Sequence, residues 1–297
     1  MAAASCNPLA SRWPKAATAR VLSLFVLSFG LPLLAGCDRM NVAAAPAKDS
    51  FGMRVVSLDV CADQYVLEML DRDRILAVSP DATSDFSYLR EKAHGLPVVR
   101  PVAEDVLVLQ PDLVVRAYGG GPGASEFFRR AGIPVLTVGW ASDIPAVVDI
   151  IENFAAGLGV PERGAAIIAD MQARLARVAT PAEARTALYM TPAGVTTGPG
   201  SLVHELLVAA GFENFQRRAG WNPLPLERLA YAAPDRVAAA FFDTQTSHPD
   251  GWSPMRHPIA RAQLAERDPI FLSGAWTACA GWFAIDAVEA LGARNIP

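Results

Sequence analysis

The sequence predicts an α/β protein of two similar lobes, each a parallel sheet covered by helices, joined by one long helix and facing each other across a ligand cleft. Three observations carry that expectation. Short β-branched runs alternate with helical periodicity from residue 54 onward, the grammar of parallel sheets. The same grammar restarts near residue 186. Between the two series stands the longest unbroken helical pattern of the first half, residues 142–158.

Residues 54–58 (RVVSL) read as the first strand, and residues 61–70 as a helix, with Ala62, Tyr65, Val66, Met69 and Leu70 at helical spacing. Residues 75–79 form a second strand, 105–109 the end of a short helix, 113–116 a third strand, 125–131 a helix and 134–138 a fourth strand. In 142–158, Ile144, Val147, Val148, Ile151 and Phe154 recur at three and four residues. Ser142 or Asp143 can cap the start, Pro145 suits the first turn, and Gly157 and Gly159 end the run. A helix over 161–178 follows, then a strand over 186–190 and a loop rich in glycine (Gly194, Gly198, Gly200). A helix over 201–210, a helix end at 228–232, a strand over 237–243 and a last helix at about 285–291 complete the series.

The first residues carry a different signature. Arg12, Lys15 and Arg20 precede an apolar run over 21–34, which ends in Leu34, Ala35, Gly36 and Cys37. That order is an export signal with a lipobox, whose small residues admit a signal peptidase and whose thiol accepts a diacylglycerol. An uncleaved membrane anchor fits less well, because the run falls short of the roughly 20 residues needed to span a bilayer and Pro32 interrupts it. Residues 38–50 lack apolar periodicity and read as a tether. The expected organisation is a signal peptide over 1–37, a tether over 38–50, a first lobe over 51–141, a linking helix over 142–160 and a second lobe over 161–297.

A net charge of −4 and the lack of any Lys/Arg run argue against a nucleic-acid partner, whose phosphates require a basic face. Of the four cysteines, Cys6 lies in the signal and Cys37 takes the lipid, leaving Cys61 and Cys279 in the folded body. One feature repeats between the halves: Glu104 precedes Pro111 and Asp112 by seven and eight positions, and Glu227 precedes Pro234 and Asp235 by the same intervals. Each reads helix, proline-aspartate turn, strand. Strands of such lobes aim their carboxyl ends at the cleft.

With these segments in place, the chain resembles the cobalamin and iron-siderophore binding proteins of ABC importers, a periplasmic binding class of two Rossmann-like lobes joined by a rigid helix. The resemblance covers nearly all of the body. It rests on VVSLDVCADQYVLEML, EDVLVLQPDLVV with AGIPVLTV after it, the helix at 142–158, GPGSLVHELLVAAGFEN, LERLAYAAPDRV, MRHPIA and WTACAGWF. It implies a monomeric binding protein, not an enzyme, that carries a small-molecule metal chelate and needs no cofactor of its own, any Fe or Co arriving inside the ligand. In cobalamin-binding relatives one glutamate per lobe docks on arginine pockets of the permease dimer, and the matching positions are Glu104 and Glu227; alternatively each merely favours the first turn of its helix. Asp38, directly after the lipidated Cys37, resembles a retention signal that keeps some lipoproteins at the inner membrane, on its periplasmic side.

Candidate ligand contacts are Asp59, Cys61, Asp81, Arg116, Tyr118 and Trp140 in the first lobe, and Gly198, Ser201, Trp221, Asp243, Trp276 and Cys279 in the second. Aromatic rings suit a large flat chelate, although a lone aromatic is more often core packing. Arg116 could neutralise an anionic ligand or pair with Asp81 or Asp112. Gly198 to Ser201 forms a glycine turn ahead of a helix, able to hold an anionic or amide group. For Cys61 and Cys279 three readings stand open: buried small hydrophobes, a disulfide spanning the lobes, or thiols touching ligand or metal.

Two rival functions remain. A membrane-tethered thiol or serine hydrolase would use Cys61 or Ser201 with His204 as base and Asp243 or Asp59 orienting it, but Ser201 lacks the nucleophile elbow. A free Zn or Mn receptor would need several converging ligands from only four histidines, His94, His204, His248 and His257.

Overall fold

A computed structural model describes residues 52–178, 183, 185–242 and 253–293, all within the larger of two compact units, Lys48–Pro297. The expected signal, the lipobox with Cys37, most of the tether, Asp243 and His248 lie outside the described residues.

In the first lobe, β1 (Val55–Ser57), β2 (Ile75–Ala77), β3 (Leu113–Arg116) and β4 (Val135–Thr137) form an all-parallel sheet in the order β2-β1-β3-β4. Its helices are α1 (Val60–Met69), α2 (Arg90–Ala93), α3 (Ala103–Val108) and α4 (Ala124–Arg130). Val55 and Val56 point to opposite faces, yet both are buried, as expected for a strand covered by helices on both sides.

Two helices follow, α5 (Ile144–Gly157) and α6 (Pro161–Leu175), before the second lobe begins with β5 (Arg185–Met190). Its remaining elements are β6 (Val195–Thr197), α7 (Leu202–Ala209), β7 (Phe212–Asn214), β8 (Trp221–Pro223), α8 (Leu226–Leu229), β9 (Arg236–Ala240), α9 (Pro258–Glu266), β10 (Ile270–Leu272), α10 (Gly274–Thr277) and α11 (Ala284–Ala293). The parallel sheet runs β10-β9-β5-β7, the same crossover pattern as the first lobe read from its other edge. An antiparallel ribbon, β6 with β8, is added beside it.

The repeated proline-aspartate turn has a physical role. Asp112 accepts the backbone N–H of Arg54 at 2.9 Å, and Asp235 accepts the backbone N–H and hydroxyl of Thr186 at 2.7 and 2.8 Å. In each lobe the carboxylate at the start of the third strand latches the start of its central neighbour. The Thr186 bonds hold the Asp235 carboxyl below its usual range.

The long helix is as expected at both ends. Asp143 caps α5 by accepting the Ala146 N–H at 2.8 Å, Pro145 sits in the first turn, and the helix closes at Gly157. It packs on α6 so tightly that a Cβ on Gly164 would lie 2.4 Å from that of Ala155. It also meets α1, where the rings of Phe154 and Tyr65 stand 4.7 Å apart, and α7.

Differences from expectation fall in the second half. The ribbon, β7, β10, α9 and α10 were not anticipated, because three-residue strands and a helix opened by His257 and Pro258 carry too little periodicity. The strand expected over 237–243 stops at Ala240, where Phe241 adopts a left-handed backbone (φ 67°) that a strand cannot contain.

The two lobes meet in an aromatic seam. Cys61 and Cys279 form a disulfide with Cα atoms 5.4 Å apart, which settles the three open readings in favour of the lobe-spanning bond. Around it, the Tyr65 hydroxyl donates to the Ala280 carbonyl at 2.8 Å, Tyr65 meets Trp282 edge to face, and Tyr88 stacks on Phe283 at 4.9 Å. Because the bond closes a separation of 218 residues, a Cys61→Ala/Cys279→Ala variant is expected to lose about 3–5 kcal/mol of stability in urea unfolding. An unchanged midpoint would show that the non-covalent seam alone sets the stability.

Candidate functional site

A cavity of about 290 Å³ opens between the lobes at the carboxyl ends of their strands. The first lobe supplies Tyr118 after β3, Trp140 after β4, and Cys61 at the start of α1. The second supplies Ser201 and the first turns of α7, Trp221 in β8, and residues 276–280, with the disulfide forming part of the wall. No charged side chain lines the cavity.

Four of the lining side chains are large aromatics, and three are open to solvent: Trp140 is 81% exposed, Tyr118 59% and Trp221 50%. Rings held so far out of a core gain little for folding, and they become buried only when something fills the cleft. The volume lies at the lower edge of the range for small-molecule pockets, so a macrocyclic chelate would also occupy the open cleft between Trp140 and Trp221. Burial holds the Tyr118 hydroxyl above its ordinary range, with the charges of Asp59, Asp81 and Asp63 acting the same way, so it remains a protonated donor at neutral pH.

Seven of the residues expected to touch ligand therefore converge: Cys61, Tyr118, Trp140, Ser201, Trp221, Trp276 and Cys279. Four described ones do not. Asp59 is buried and spent on backbone: one oxygen caps α1 by accepting the Ala62 N–H at 3.0 Å, and the other accepts those of Ala117, Tyr118 and Gly119 at 2.7, 3.0 and 2.8 Å. It shapes the turn that presents Tyr118. Arg116 donates to the Ser125 hydroxyl at 2.9 Å and to the carbonyls of Tyr118 and Gly121 at 3.0 and 3.1 Å, so its guanidinium braces the same turn.

Gly198 stands behind the wall, where a Cβ would lie 2.0 Å from the Arg218 carbonyl oxygen; its role is close backbone approach. Asp81 is exposed at the start of the loop after β2 and does not line the cavity.

The disulfide and the cap bonds also remove the parts of the hydrolase alternative. Cys61 carries no free thiol. The Ser201 hydroxyl donates to the Gly198 carbonyl at 3.0 Å and accepts from the Thr197 hydroxyl at 2.8 Å and the His204 N–H at 3.2 Å. The His204 ring meets Asn214, 3.2 Å from Nδ1, not the serine. Among the described residues, no group of three or more His, Cys, Asp or Glu stands close enough to hold a metal ion, and no helix is long and apolar enough to cross a membrane.

Sequence reasoning missed Asp63 and Gln64 of α1. Asp63 is fully buried and accepts the Ser79 N–H at 3.1 Å and its hydroxyl at 2.5 Å. Gln64 accepts the Leu89 N–H at 2.8 Å and donates to the Ser87 hydroxyl at 3.0 Å. Together they fix both ends of the loop over 79–89 that carries Tyr88 to the seam. The available signal was a carboxylate adjoining the apolar stripe of Ala62, Tyr65 and Val66.

Fold and site define a class before any relative is consulted: a two-lobed α/β clamp with an aromatic, uncharged cleft, built to hold a solute. A family profile described as periplasmic binding protein matches residues 55–245, and the chain belongs to that family. Among curated proteins, a cobalamin-binding protein of Halobacterium salinarum is 30% identical over 176 residues, covering 56% of this chain and 47% of that protein. The chain thus spans about half the length of the curated relatives it matches.

Among solved structures, a periplasmic heme-binding protein from Pseudomonas aeruginosa aligns with a TM-score of 0.65 at 24% identity, over 82% of this chain and 93% of that one. The periplasmic heme-binding protein HutB of Vibrio cholerae aligns with a TM-score of 0.68 at 17% identity, over 82% and 99%. At those identities the likeness shows the fold, and it agrees with the two-lobed architecture read from the sequence.

Asp63 yields a pH prediction. Burial raises its carboxyl to about 6, against the pull of the Ser79 and Ser57 hydroxyls, with the Asp59 charge adding to the rise. Between its unfolded value near 4 and about 6 the folded chain holds a proton that the unfolded chain has lost. This group's contribution to stability is therefore greatest in acid, falls as pH rises through that window and levels off above it. Asp63→Asn keeps the bonds to Ser79 without the charge. Its stability relative to the unmodified protein should rise by about 2–3 kcal/mol from pH 4 to 7 in denaturant titrations; a pH-independent difference would contradict the buried charge.

Proposed function

We propose that the chain is an extracytoplasmic solute-binding lipoprotein that delivers a metal chelate, a corrinoid or an iron-siderophore, to an ABC importer, without catalysis of its own. The observation that carries this reading is the uncharged interlobe cavity walled by Tyr118, Trp140, Trp221 and Trp276. Planar rings bury large area at small entropic cost and match a broad, flat ligand. A wall without cations disfavours a highly anionic catecholate chelate, which would be desolvated with no compensating charge. The names of the relatives point the same way: the curated one is cobalamin-binding, and the solved structures include heme-binding proteins and an Fe3+-hydroxamate transport system from Saccharomonospora viridis.

In this reading the lobes at 51–141 and 161–297 are linked through the helix at 142–160, and Cys37 anchors a monomer to the inner membrane on its periplasmic face. Glu104 and Glu227 dock on the permease. Support for docking comes from position: both are exposed, and each lies in the first turn of a short helix, α3 or α8, that precedes the equivalent aspartate latch of its lobe. Two carboxylates related by a repeat suit a two-fold partner with basic pockets.

Tryptophan fluorescence of the 38–297 body, titrated with cyanocobalamin, ferric hydroxamate, ferric catecholate and haem and checked by calorimetry, tests the receptor reading. Saturable one-to-one quenching by one probe is expected, with affinity reduced at least tenfold in Trp140→Ala or Trp276→Ala. Silence from all four in folded protein would overturn it. For docking, Glu104→Lys/Glu227→Lys is expected to keep ligand affinity while abolishing uptake in cells; undiminished uptake would reduce both residues to surface charges.

A further inference from the structure

One wall of the cavity holds polar atoms that the fold leaves unused. Tyr189 occupies the carboxyl end of β5, is fully buried, and meets Trp221 of the cavity wall edge to face, with ring centroids 6.2 Å apart. Thr277, at the end of α10, lines the cavity beside Trp276. The Tyr189 hydroxyl and Thr277 Oγ1 are both buried, and among the described residues neither has a hydrogen-bond partner. Burial pushes the Tyr189 hydroxyl far above its ordinary range, and Thr277 is the side chain that acts against that rise, which places the two hydroxyls beside each other.

An idle pair of this kind is costly, because each buried unpaired polar group forfeits its bonds to water. Phenylalanine and valine would fill the same space without that cost. The ligand group that satisfies both must offer a donor and an acceptor together, since each hydroxyl can give one hydrogen bond and receive others. It must also be neutral, because the cavity wall contains no cation and a carboxylate pressed into it would be stripped of water without a counter-charge. A primary carboxamide meets both conditions; a propionate-type carboxylate meets neither.

We propose that Thr277 and Tyr189 form a polar subsite in the second-lobe wall that takes a neutral carboxamide arm of the bound chelate, selecting amide-decorated macrocycles over carboxylate-decorated ones. This rests on the receptor reading above and narrows it.

Calorimetry with the unmodified body and with Thr277→Val and Tyr189→Phe tests it, using dicyanocobinamide as the carboxamide probe and two comparison probes, the same corrin with its amides hydrolysed to acids and haem. The unmodified protein should prefer the carboxamide probe to its acid counterpart. Each variant should bind the carboxamide probe roughly threefold to tenfold more weakly, the loss of one hydrogen bond. Affinity for the acid probe should stay unchanged, and the Tm of the ligand-free variants should be equal to or above that of the parent.

Equal affinity of parent and variants for dicyanocobinamide would overturn the subsite. So would a lower ligand-free Tm with unchanged affinity, the mark of hydroxyls that hold a structural water. Binding of haem or a ferric hydroxamate but not of the carboxamide probe would overturn the subsite and leave the receptor reading standing, whereas binding of no probe at all would remove both.

Discussion

The disulfide between Cys61 and Cys279 joins the first turn of α1 in one lobe to the segment before α11 in the other, and the rest of the cleft is arranged around that join. Tyr65, Tyr88, Trp282 and Phe283 pack beside it, and the buried core runs without a break from α1 through α5 and α6 to α7 and α11. The lobes therefore share one hydrophobic base. A cavity that opens directly above a covalent tie can widen at its mouth more readily than at its floor, so the ligand's inner contacts are set by the fold and its outer contacts by Tyr118, Trp140 and Trp221.

The polar groups near the cleft divide by what they serve. Asp59, Arg116, Ser201 and Gly198 look like ligand contacts from their positions at strand and helix ends, but their hydrogen-bonding capacity or lack of a Cβ is committed to the turns that hold the aromatic rings. A carboxylate that accepts four backbone N–H groups is worth more to the scaffold than a contact in water could be to a ligand. The groups left free to meet a solute are the tryptophans, Tyr118 and the unpaired hydroxyls of Thr277 and Tyr189.

The lobes are repeats at the level of single bonds. Asp112 to Arg54 and Asp235 to Thr186 are the same latch in the two sheets, and each follows a short helix whose first turn shows an exposed glutamate. The second lobe then departs from the first by adding the β6–β8 ribbon, which brings Trp221 to the cavity and has no counterpart opposite. The two walls of the cleft consequently differ in chemistry although their sheets share one topology.

By itself the sequence determined the alternation of strands and helices, the duplication and its glutamate and proline-aspartate markers, the boundaries of the long helix, and the four aromatics that meet in the cavity. These are recorded in local periodicity, in capping residues such as Asp143, and in side chains at strand ends, all of which act over a few positions. Only the tertiary structure decided that Cys61 and Cys279 are bonded, that Asp59 and Arg116 face their own turns, that Asp63 is buried as a latch on Ser79, and that β9 ends at Phe241. Each of those outcomes depends on which distant backbone group arrives beside a side chain, and the local spacing of residues carries no record of that approach.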